Sequence, residues 1–406
     1  MENNNKSDKG YLKGLITGLL FAVILVVVFA VAWVLKLNKY VLNYYGLSLS
    51  EVKSKQVKLN SDDFDTKMNK LASYIETFYL DDVSEEDMAE GAFKGVVAAL
   101  GDPYSEYYTE EEYESLMEST SGEYNGIGVS ISQKEENGEI TIATVFDDTP
   151  AKEAGIQEGD VIVAVDGNDM TGKSSQDVVS MIKGKTDGTV TITVMRNGEK
   201  LDLQVEIRKV ERPTVANHMM DGNIGYIKLS EFDGVSTSQF SEALNELKDQ
   251  GMEKLVIDIR DNPGGRLDVV CDLLDLFVDK DKLIVYTKDK NGNKQEEYTR
   301  YDASVKDIPI SIIVNGNSAS AAEVFTGVMQ DYGLAKIVGT QTFGKGIVQK
   351  ILDMGDGSAV KLTVSKYYLP NDENIHGQGI TPDYVIDADE NTEEDVQLNK
   401  AVEVLE

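Results

Sequence analysis

The chain is poor in the residues on which many hydrolases and metal sites depend. Its 406 residues include one cysteine and two histidines, His218 and His376. A single cysteine excludes an intramolecular disulfide and a cysteine-rich metal site, and neither a metal nor an organic cofactor is predicted. If the protein cleaves a bond through a covalent nucleophile, the usual histidine base is scarce. A lysine is then the natural substitute.

Basic residues are also few, because 39 Lys and Arg stand against 71 Asp and Glu, a formal net charge of −32 at pH 7. Against that background no basic stripe could neutralise phosphates, so we expect no nucleic-acid partner. The hydrophobic content of 41% and charged content of 27% are ordinary for a folded protein. The length allows two or three domains.

A long uncharged run lies near the N-terminus. Residues 15–35 form 21 consecutive positions without a charge, about 31 Å as a helix, which matches a bilayer core. Lysines precede the run, so residues 1–14 are predicted to be cytoplasmic and the bulk of the chain to lie outside the cytoplasmic membrane. We predict a retained single-pass transmembrane anchor, with signal-peptide cleavage after residues 30–32 as the alternative.

Changes in composition divide the rest of the chain. Residues 36–58 are polar and predict a stalk, and residues 59–121 show the three- and four-residue apolar spacing of a helical segment. Short alternating strands with glycine turns predict a mostly β unit over 122–209. Strands and helices alternate over 210–386, which predicts an α/β layer. Residues 387–406 are predicted to be an acidic C-terminal tail, of which 387–395 is solvated.

Two junctions between a strand and a helix carry residues suited to chemistry. One is a Gly-Asn-Ser-Ala-Ser stretch ending at Ser320, and the other is a Pro-Gly-Gly stretch ending at Gly265. The first N–H groups of a helix have no intrahelical partner and can hold an anion. The N–H of Ala321, with that of Gly264 or Gly265, could therefore form an oxyanion hole beside a Ser320 nucleophile. The alternative is an ordinary helix start with a capping serine.

Lys345 is the candidate base. It lies between two glycines, with Phe343 before it and Ile347 and Val348 after it, which predicts an apolar pocket. The ordinary lysine pKa is about 10.4, and burial can lower it enough for the amine to be neutral near pH 7. The alternative is a lysine on a surface loop.

The β-rich unit offers a candidate peptide site. Four consecutive residues, Gly126, Ile127, Gly128 and Val129, precede or begin its first alternating strand. Successive exposed N–H groups there could hold a terminal carboxylate, while the rest of the peptide adds a further strand to the sheet.

These stretches together resemble the C-terminal processing peptidases, which are membrane-anchored or secreted serine proteases with an inserted PDZ domain. The resemblance covers roughly residues 60–390 and rests on ordered motifs: Gly101-Asp-Pro-Tyr-Ser105, Thr149–Gly167, Asp258-Ile-Arg-Asp-Asn-Pro-Gly-Gly265, Ser318-Ala-Ser-Ala-Ala-Glu323, Thr342-Phe-Gly-Lys-Gly346 and Gly377-Gln-Gly-Ile-Thr-Pro-Asp383. By position, the resemblance makes Ser320 the nucleophile, Lys345 its base and Gln349 the residue that orients the lysine.

The resemblance also implies an architecture and an activity. The expected fold is a crotonase-like α/β protease core with an N-terminal helical segment and an inserted PDZ domain that gates the site. The expected activity is endoproteolysis of protein substrates with accessible C-termini, through an acyl-enzyme. Family members are often oligomeric, so a homo-oligomer is an option. Two alternatives are a catalytically inactive PDZ adaptor or holdase at the cell surface, and a trypsin-like protease, whose histidine-containing triad does not fit this chain.

Overall fold

A computed structural model describes residues 62–134, 138–183, 188–388 and 394–406. The predicted cytoplasmic N-terminus, transmembrane anchor and stalk (1–58) lie outside them. Among the helices of the described ranges, none has the length and apolarity needed to cross a membrane.

The helices of the described residues are α1 (Asp62–Phe78), α2 (Glu85–Ala98), α3 (Glu110–Ser121), α4 (Pro150–Glu153), α5 (Ser175–Lys183), α6 (Ser236–Asp249), α7 (Leu267–Leu274), α8 (Ala321–Asp331) and α9 (Val396–Glu403). The strands are β1 (Glu106–Tyr108), β2 (Glu123–Gly126), β3 (Val129–Gln133), β4 (Ile140–Val145), β5 (Val161–Val165), β6 (Asn168–Asp169), β7 (Gly188–Arg196), β8 (Glu199–Glu211), β9 (Val215–Met220), β10 (Ile224–Leu229), β11 (Lys254–Asp258), β12 (Leu283–Asp289), β13 (Lys294–Tyr298), β14 (Ile310–Val314), β15 (Lys336–Gly339), β16 (Ile347–Asp353), β17 (Ala359–Tyr368) and β18 (Tyr384–Val385).

The chain divides into two compact units, Met1–Met88 and Ala89–Glu406. In the first unit the apolar spacing of the sequence does produce a helix, α1, in which the rings of Tyr74 and Phe78 meet edge to face at 6.2 Å. The fold elements below all belong to the second unit.

One sheet of the second unit is antiparallel, with the strand order β2-β8-β7-β5-β4-β3 and β6 paired to β5. Alternate residues of β7, namely Val190, Ile192 and Val194, are fully buried, as the two-residue period of a strand requires. Val178 and Ile182 of α5 join the same core. Among the described strands β3 pairs only with β4, so β3 is an edge strand.

A second, mostly parallel sheet has the order β18-β15-β14-β11-β10-β9, with only β9 antiparallel to its neighbour. Every residue of β14 is buried, as expected for a parallel strand covered on both faces. One face packs against the helices that carry Phe240 and Phe325. The intervening residues of the strands, such as Val256 and Ile313, point to the opposite face of the sheet. There they pack in a separate cluster that includes Ala401 of α9.

The last part of the predicted acidic tail is a packed helix, because α9 (Val396–Glu403) lies against the core. Asp395 forms an ion pair of 2.7 Å with Arg260, and the Ser311 hydroxyl donates to the Ala401 carbonyl at 2.8 Å. The physical reason is the two-sided sheet: its second face needs an apolar cover, and α9 supplies one. The acidic composition of the segment hid that apolar stripe.

A third, antiparallel sheet positions the lysine segment. Its order is β1-β17-β12-β13, and β16 pairs with β17. β16 begins two residues after Lys345. The loop before β1 is joined to β17 where the Thr363 N–H donates to the Ser105 hydroxyl at 3.0 Å.

Candidate active site

Ser320 stands at the junction of β14 and α8, as the N-cap residue of that helix. Its backbone has φ 53° and ψ −112°, a region that non-glycine residues rarely adopt. Such a conformation costs on the order of 1–3 kcal/mol and persists only where the surroundings enforce it. Part of that enforcement comes from Ser318, whose hydroxyl donates to the Ile259 carbonyl at 2.8 Å.

A fully buried carboxylate joins the serine segment, which ends at Ser320, to the lysine segment, Thr342 to Lys345. Glu323 accepts the N–H of Ser320 at 2.8 Å through one oxygen, which also accepts the N–H of Lys345 at 2.8 Å. Its other oxygen accepts the N–H of Gly344 at 2.7 Å and the hydroxyl of Thr342 at 2.6 Å. Two stretches 25 residues apart in sequence are therefore held by one side chain.

Tyr367 of β17 forms a second bridge between the same segments. Its hydroxyl lies 2.7 Å from the Lys345 carbonyl and 3.2 Å from the Ser320 carbonyl. Burial raises the pKa of Tyr367 well above its usual value, and the charge of Glu323 raises it further. The hydroxyl is therefore a neutral donor throughout the physiological range.

The amine of Lys345 is half-buried, and its pKa is lowered. Burial is the main cause, and the positive charge of Lys361 lowers the pKa further, whereas the carboxylates of Glu323 and Asp102 raise it. The Nζ atom lies 4.9 Å from the centroid of the Tyr104 ring. The environment thus favours the neutral amine that a general base requires.

The predicted pocket around Lys345 is right in part. Ile347 is buried, but Phe343 is 55% exposed and does not shield the amine. The aromatic wall comes instead from Tyr104, which the sequence places 241 positions earlier in the chain. Tyr104 and the network of Glu323 were missed as site residues, although a Ser-x-x-Glu spacing signals a side chain that reaches back to a helix start.

Gln349 lies on β16, and its Nε2 atom is 3.5 Å from the Thr363 hydroxyl. The N–H of Thr363 in turn donates to the hydroxyl of Ser105, the residue that follows Tyr104 in the sequence. Within the described residues the hydrogen bonds of Gln349 do not include one to Lys345, so its orienting role stays a prediction.

The glycine loop after β11 touches the serine segment directly. A Cβ atom placed on Gly264, which has φ 107°, would lie 2.9 Å from the Ala321 nitrogen and 2.9 Å from the Cβ of Ser320. The Gly264 N–H already donates to the Asn262 side chain at 2.8 Å, which corrects its prediction as an oxyanion donor. Among the described residues no acceptor is found for the N–H of Gly265 or of Ala321. These two N–H groups remain the candidate oxyanion donors.

The predicted peptide-binding residues lie together, on the antiparallel sheet that contains β3. The carbonyls of Ile127 and Gly128 accept backbone N–H groups at 2.9 Å and 3.0 Å. Gly128 has φ 83°, and a Cβ atom there would lie 2.3 Å from the Cβ of Thr149. Val129 then begins the edge strand β3. Gln133 of that strand donates to the Lys173 carbonyl, just before α5, and accepts the N–H of Ser175, the first residue of α5.

Three ranges of the chain match known families. Residues 223–386 match Peptidase family S41, residues 125–207 match the PDZ domain, and residues 29–112 match the Activating protease CtpB N-terminal domain. A "Probable CtpA-like serine protease" of Staphylococcus saprophyticus is 37% identical over 334 residues, which are 81% of this chain and 67% of the relative. The chain belongs to peptidase family S41.

Other S41 relatives agree with this assignment. A protein of the same description from Staphylococcus aureus (strain bovine RF122 / ET3-1) is 36% identical over 337 residues, which are 82% of this chain and 66% of the relative. The chain thus spans about two thirds of the length of these S41 relatives. A solved structure described as a putative S41 protease from Bacteroides fragilis NCTC 9343 has a TM-score of 0.50 and 18% identity, covering 82% of this chain and 95% of that one. That likeness concerns the fold alone. The mixed α/β S41 protease fold with a PDZ domain rests on the family matches of this chain.

Proposed function

We propose that the protein is a serine endopeptidase in which Ser320 attacks the scissile carbonyl and Lys345 is the general base. The neutral amine would take the hydroxyl proton as the acyl-enzyme forms and would return it to the leaving amine. Water, activated by the same amine, would then release the acyl group. The observation that carries the proposal is the convergence of both segments on Glu323, together with the lowered pKa of Lys345.

The N–H groups of Ala321 and Gly265 would hold the oxyanion of the tetrahedral intermediate. Their support is that each lacks an acceptor among the described residues and that the glycine loop touches the helix start. One such donor contributes roughly 10²–10³-fold to the rate in serine proteases.

Substrate capture would use the PDZ domain. The C-terminal residues of a protein would add to the free edge of β3, with the terminal carboxylate at the N–H groups of the 126–129 segment. The uncharged run 15–35 would hold the protein in the cytoplasmic membrane as a single-pass anchor with the bulk of the chain outside. Assembly into a homo-oligomer is compatible with this arrangement.

The test is cleavage of β-casein by the full-length chain purified in detergent, with new C-termini identified by mass spectrometry. Ser320→Ala and Lys345→Ala should abolish cleavage and keep the wild-type melting temperature within a few degrees. Lys366→Ala, an exposed lysine on β17, is the matched control and should cleave normally. Undiminished cleavage by Ser320→Ala would refute the mechanism, and a wild type that binds C-terminal peptides without cleaving any protein would favour the adaptor.

A further inference from the structure

Arg212 lies where the chain leaves the PDZ sheet, one residue after β8. Its N–H donates at 2.7 Å to the carbonyl of Gly122, the residue where the chain enters that sheet. Its guanidinium donates at 3.1 Å to the Ser119 carbonyl in the last turn of α3. Arg212 therefore lies at the exit of the PDZ domain and contacts its entry through both its backbone and its side chain.

The same guanidinium is paired with two carboxylates of the protease core. It lies 2.6 Å from a carboxylate oxygen of Glu231 and also forms an ion pair with Asp233. Asp233 is only 4% exposed, and burial raises the pKa of Glu231. Without the guanidinium, two poorly solvated carboxylates would face each other across a short loop, and like charges so placed repel.

That loop touches the glycine loop of the active site. Phe232, between the two carboxylates, donates its N–H to the Gly264 carbonyl at 2.9 Å and accepts the Arg266 N–H at 2.8 Å. A Cβ atom on Gly265 would lie 2.3 Å from the Phe232 carbonyl oxygen. The path of Gly264 and Gly265 is therefore shaped by the backbone of Phe232.

We propose that Arg212 is a positioning residue that couples the seating of the PDZ domain to the oxyanion donor Gly265. This inference rests on the proposed function. Arg212 holds the 231–235 loop against the entry and exit of the PDZ domain, and the loop holds the Gly265 N–H in place through Phe232. Arg212 itself touches neither substrate nor reacting atoms, so its loss should lower the rate of the chemical step and leave peptide capture intact.

The chain offers a matched control in Arg208. It lies on β8, four residues earlier, and pairs at 2.6 Å with Glu153 within the PDZ domain. Arg212→Gln and Arg208→Gln would be compared in the full-length chain in detergent. One measurement is kcat and KM with a quenched fluorogenic β-casein peptide that has a free C-terminus. The other, in the Ser320→Ala background, is the Kd of a fluorescein-labelled form of the same peptide.

We expect Arg212→Gln to lower kcat by about tenfold or more, part of the effect of losing one oxyanion donor, with KM and Kd within about twofold of wild type. Arg208→Gln should keep kcat within about twofold. Asp233→Asn should also lower kcat, and the double variant with Arg212→Gln should lose no more than the worse single variant, because the two residues act as one unit.

If Arg212→Gln melts below the assay temperature, Arg212→Lys replaces it. A lysine keeps the charge but cannot span the Ser119 carbonyl and both carboxylates, so an intermediate kcat is expected. Equal kcat in Arg212→Gln and Arg208→Gln, or parallel losses in kcat, Kd and melting temperature, would overturn the coupling. A wild type without Ser320-dependent cleavage would instead refute the proposed function.

Discussion

At the scale of single residues, Glu323 has two opposed effects. Its carboxylate holds the backbones of Ser320 and Lys345 together, yet its charge raises the pKa of Lys345 and so works against the neutral amine. Burial of Lys345 and the nearby charge of Lys361 outweigh that effect, because the net pKa is lowered. The carboxylate that holds the site together therefore also makes the neutral form of the Lys345 amine less favourable.

Glu323→Gln separates these two effects. The amide keeps the shape of the side chain but loses one acceptor oxygen, so the four donors can no longer all be satisfied. We expect kcat to fall by at least about 100-fold, with the residual activity rising at a lower pH than in wild type, since one pKa-raising charge is gone. Glu373→Gln, on an exposed turn, is the control. A residual activity that rises at higher pH would contradict this account.

Lys361→Met tests the tuning of the base from the opposite side. Activity of the wild type should rise with an apparent pKa below the ordinary lysine value of about 10.4, because the proposed base acts as a neutral amine. Removing the positive charge of Lys361 raises the pKa of Lys345, so the rise should move to higher pH. The pH profile of kcat/KM measures this, with Lys366→Met as control. An unmoved profile would mean that Lys361 is too well screened to matter.

At the scale of helices and strands, local pattern predicted most elements and tertiary partners decided the rest. Period-two alternation predicted the strands of the PDZ sheet, and the strand-to-helix junction predicted the position of Ser320. Tyr104 could not be found in this way, because its role comes from a contact with a residue far along the chain. The engagement of the Gly264 N–H by Asn262, in contrast, is local: an Asn side chain that accepts the N–H two residues later is an Asx turn, a spacing that the sequence does signal.

Helix α9 could not be predicted to pack on the core from composition, because the segment that contains it is acidic. Asp395 accepts the N–H of Leu398 at 2.9 Å as the N-cap and pairs with Arg260. Asp395→Ala should therefore destabilise the protein by about 1–2 kcal/mol, mostly from the lost cap, which lowers the melting temperature by roughly 2–6 °C. Calorimetry of the variant is the measurement.

The control for this change is Asp387→Ala, an exposed acidic residue of the same stretch, which should melt like wild type. Equal melting temperatures for both variants would mean that the cap and ion pair of Asp395 add nothing to the stability of the protein.

At the scale of the whole molecule, capture and cleavage are assigned to separate sheets. The proposed peptide edge is β3 of the PDZ sheet, whereas Ser320 and Lys345 are held by the core sheet and the sheet of β17. Such a division means that the end of a substrate and its scissile bond are bound at different places. Changes at the proposed peptide edge should then act on KM more than on kcat, whereas changes at Arg212, where the chain leaves the PDZ domain, should act on kcat.

Gly128→Ala provides that test. The added methyl group would meet the Thr149 side chain at 2.3 Å and should displace the segment that holds the substrate carboxylate. We expect KM for a peptide with a free C-terminus to rise about tenfold, the equivalent of roughly 1.4 kcal/mol, with little change in kcat. The same peptide with an amidated C-terminus should show no difference between variant and wild type.

Gly159→Ala is the matched control, because Gly159 also has a positive φ in the PDZ domain but no atom within 4 Å of its Cβ position. A similar KM increase in this variant would mean that the effect of Gly128→Ala comes from replacing any glycine with positive φ and not from the contact with Thr149.

The backbone of Ser320 has a consequence for the life of the protein. Glycine would adopt φ 53° there without the steric penalty that serine has, so a chain that loses its hydroxyl by mutation to glycine should keep the fold. Selection against such a copy would then act through lost cleavage and not through misfolding.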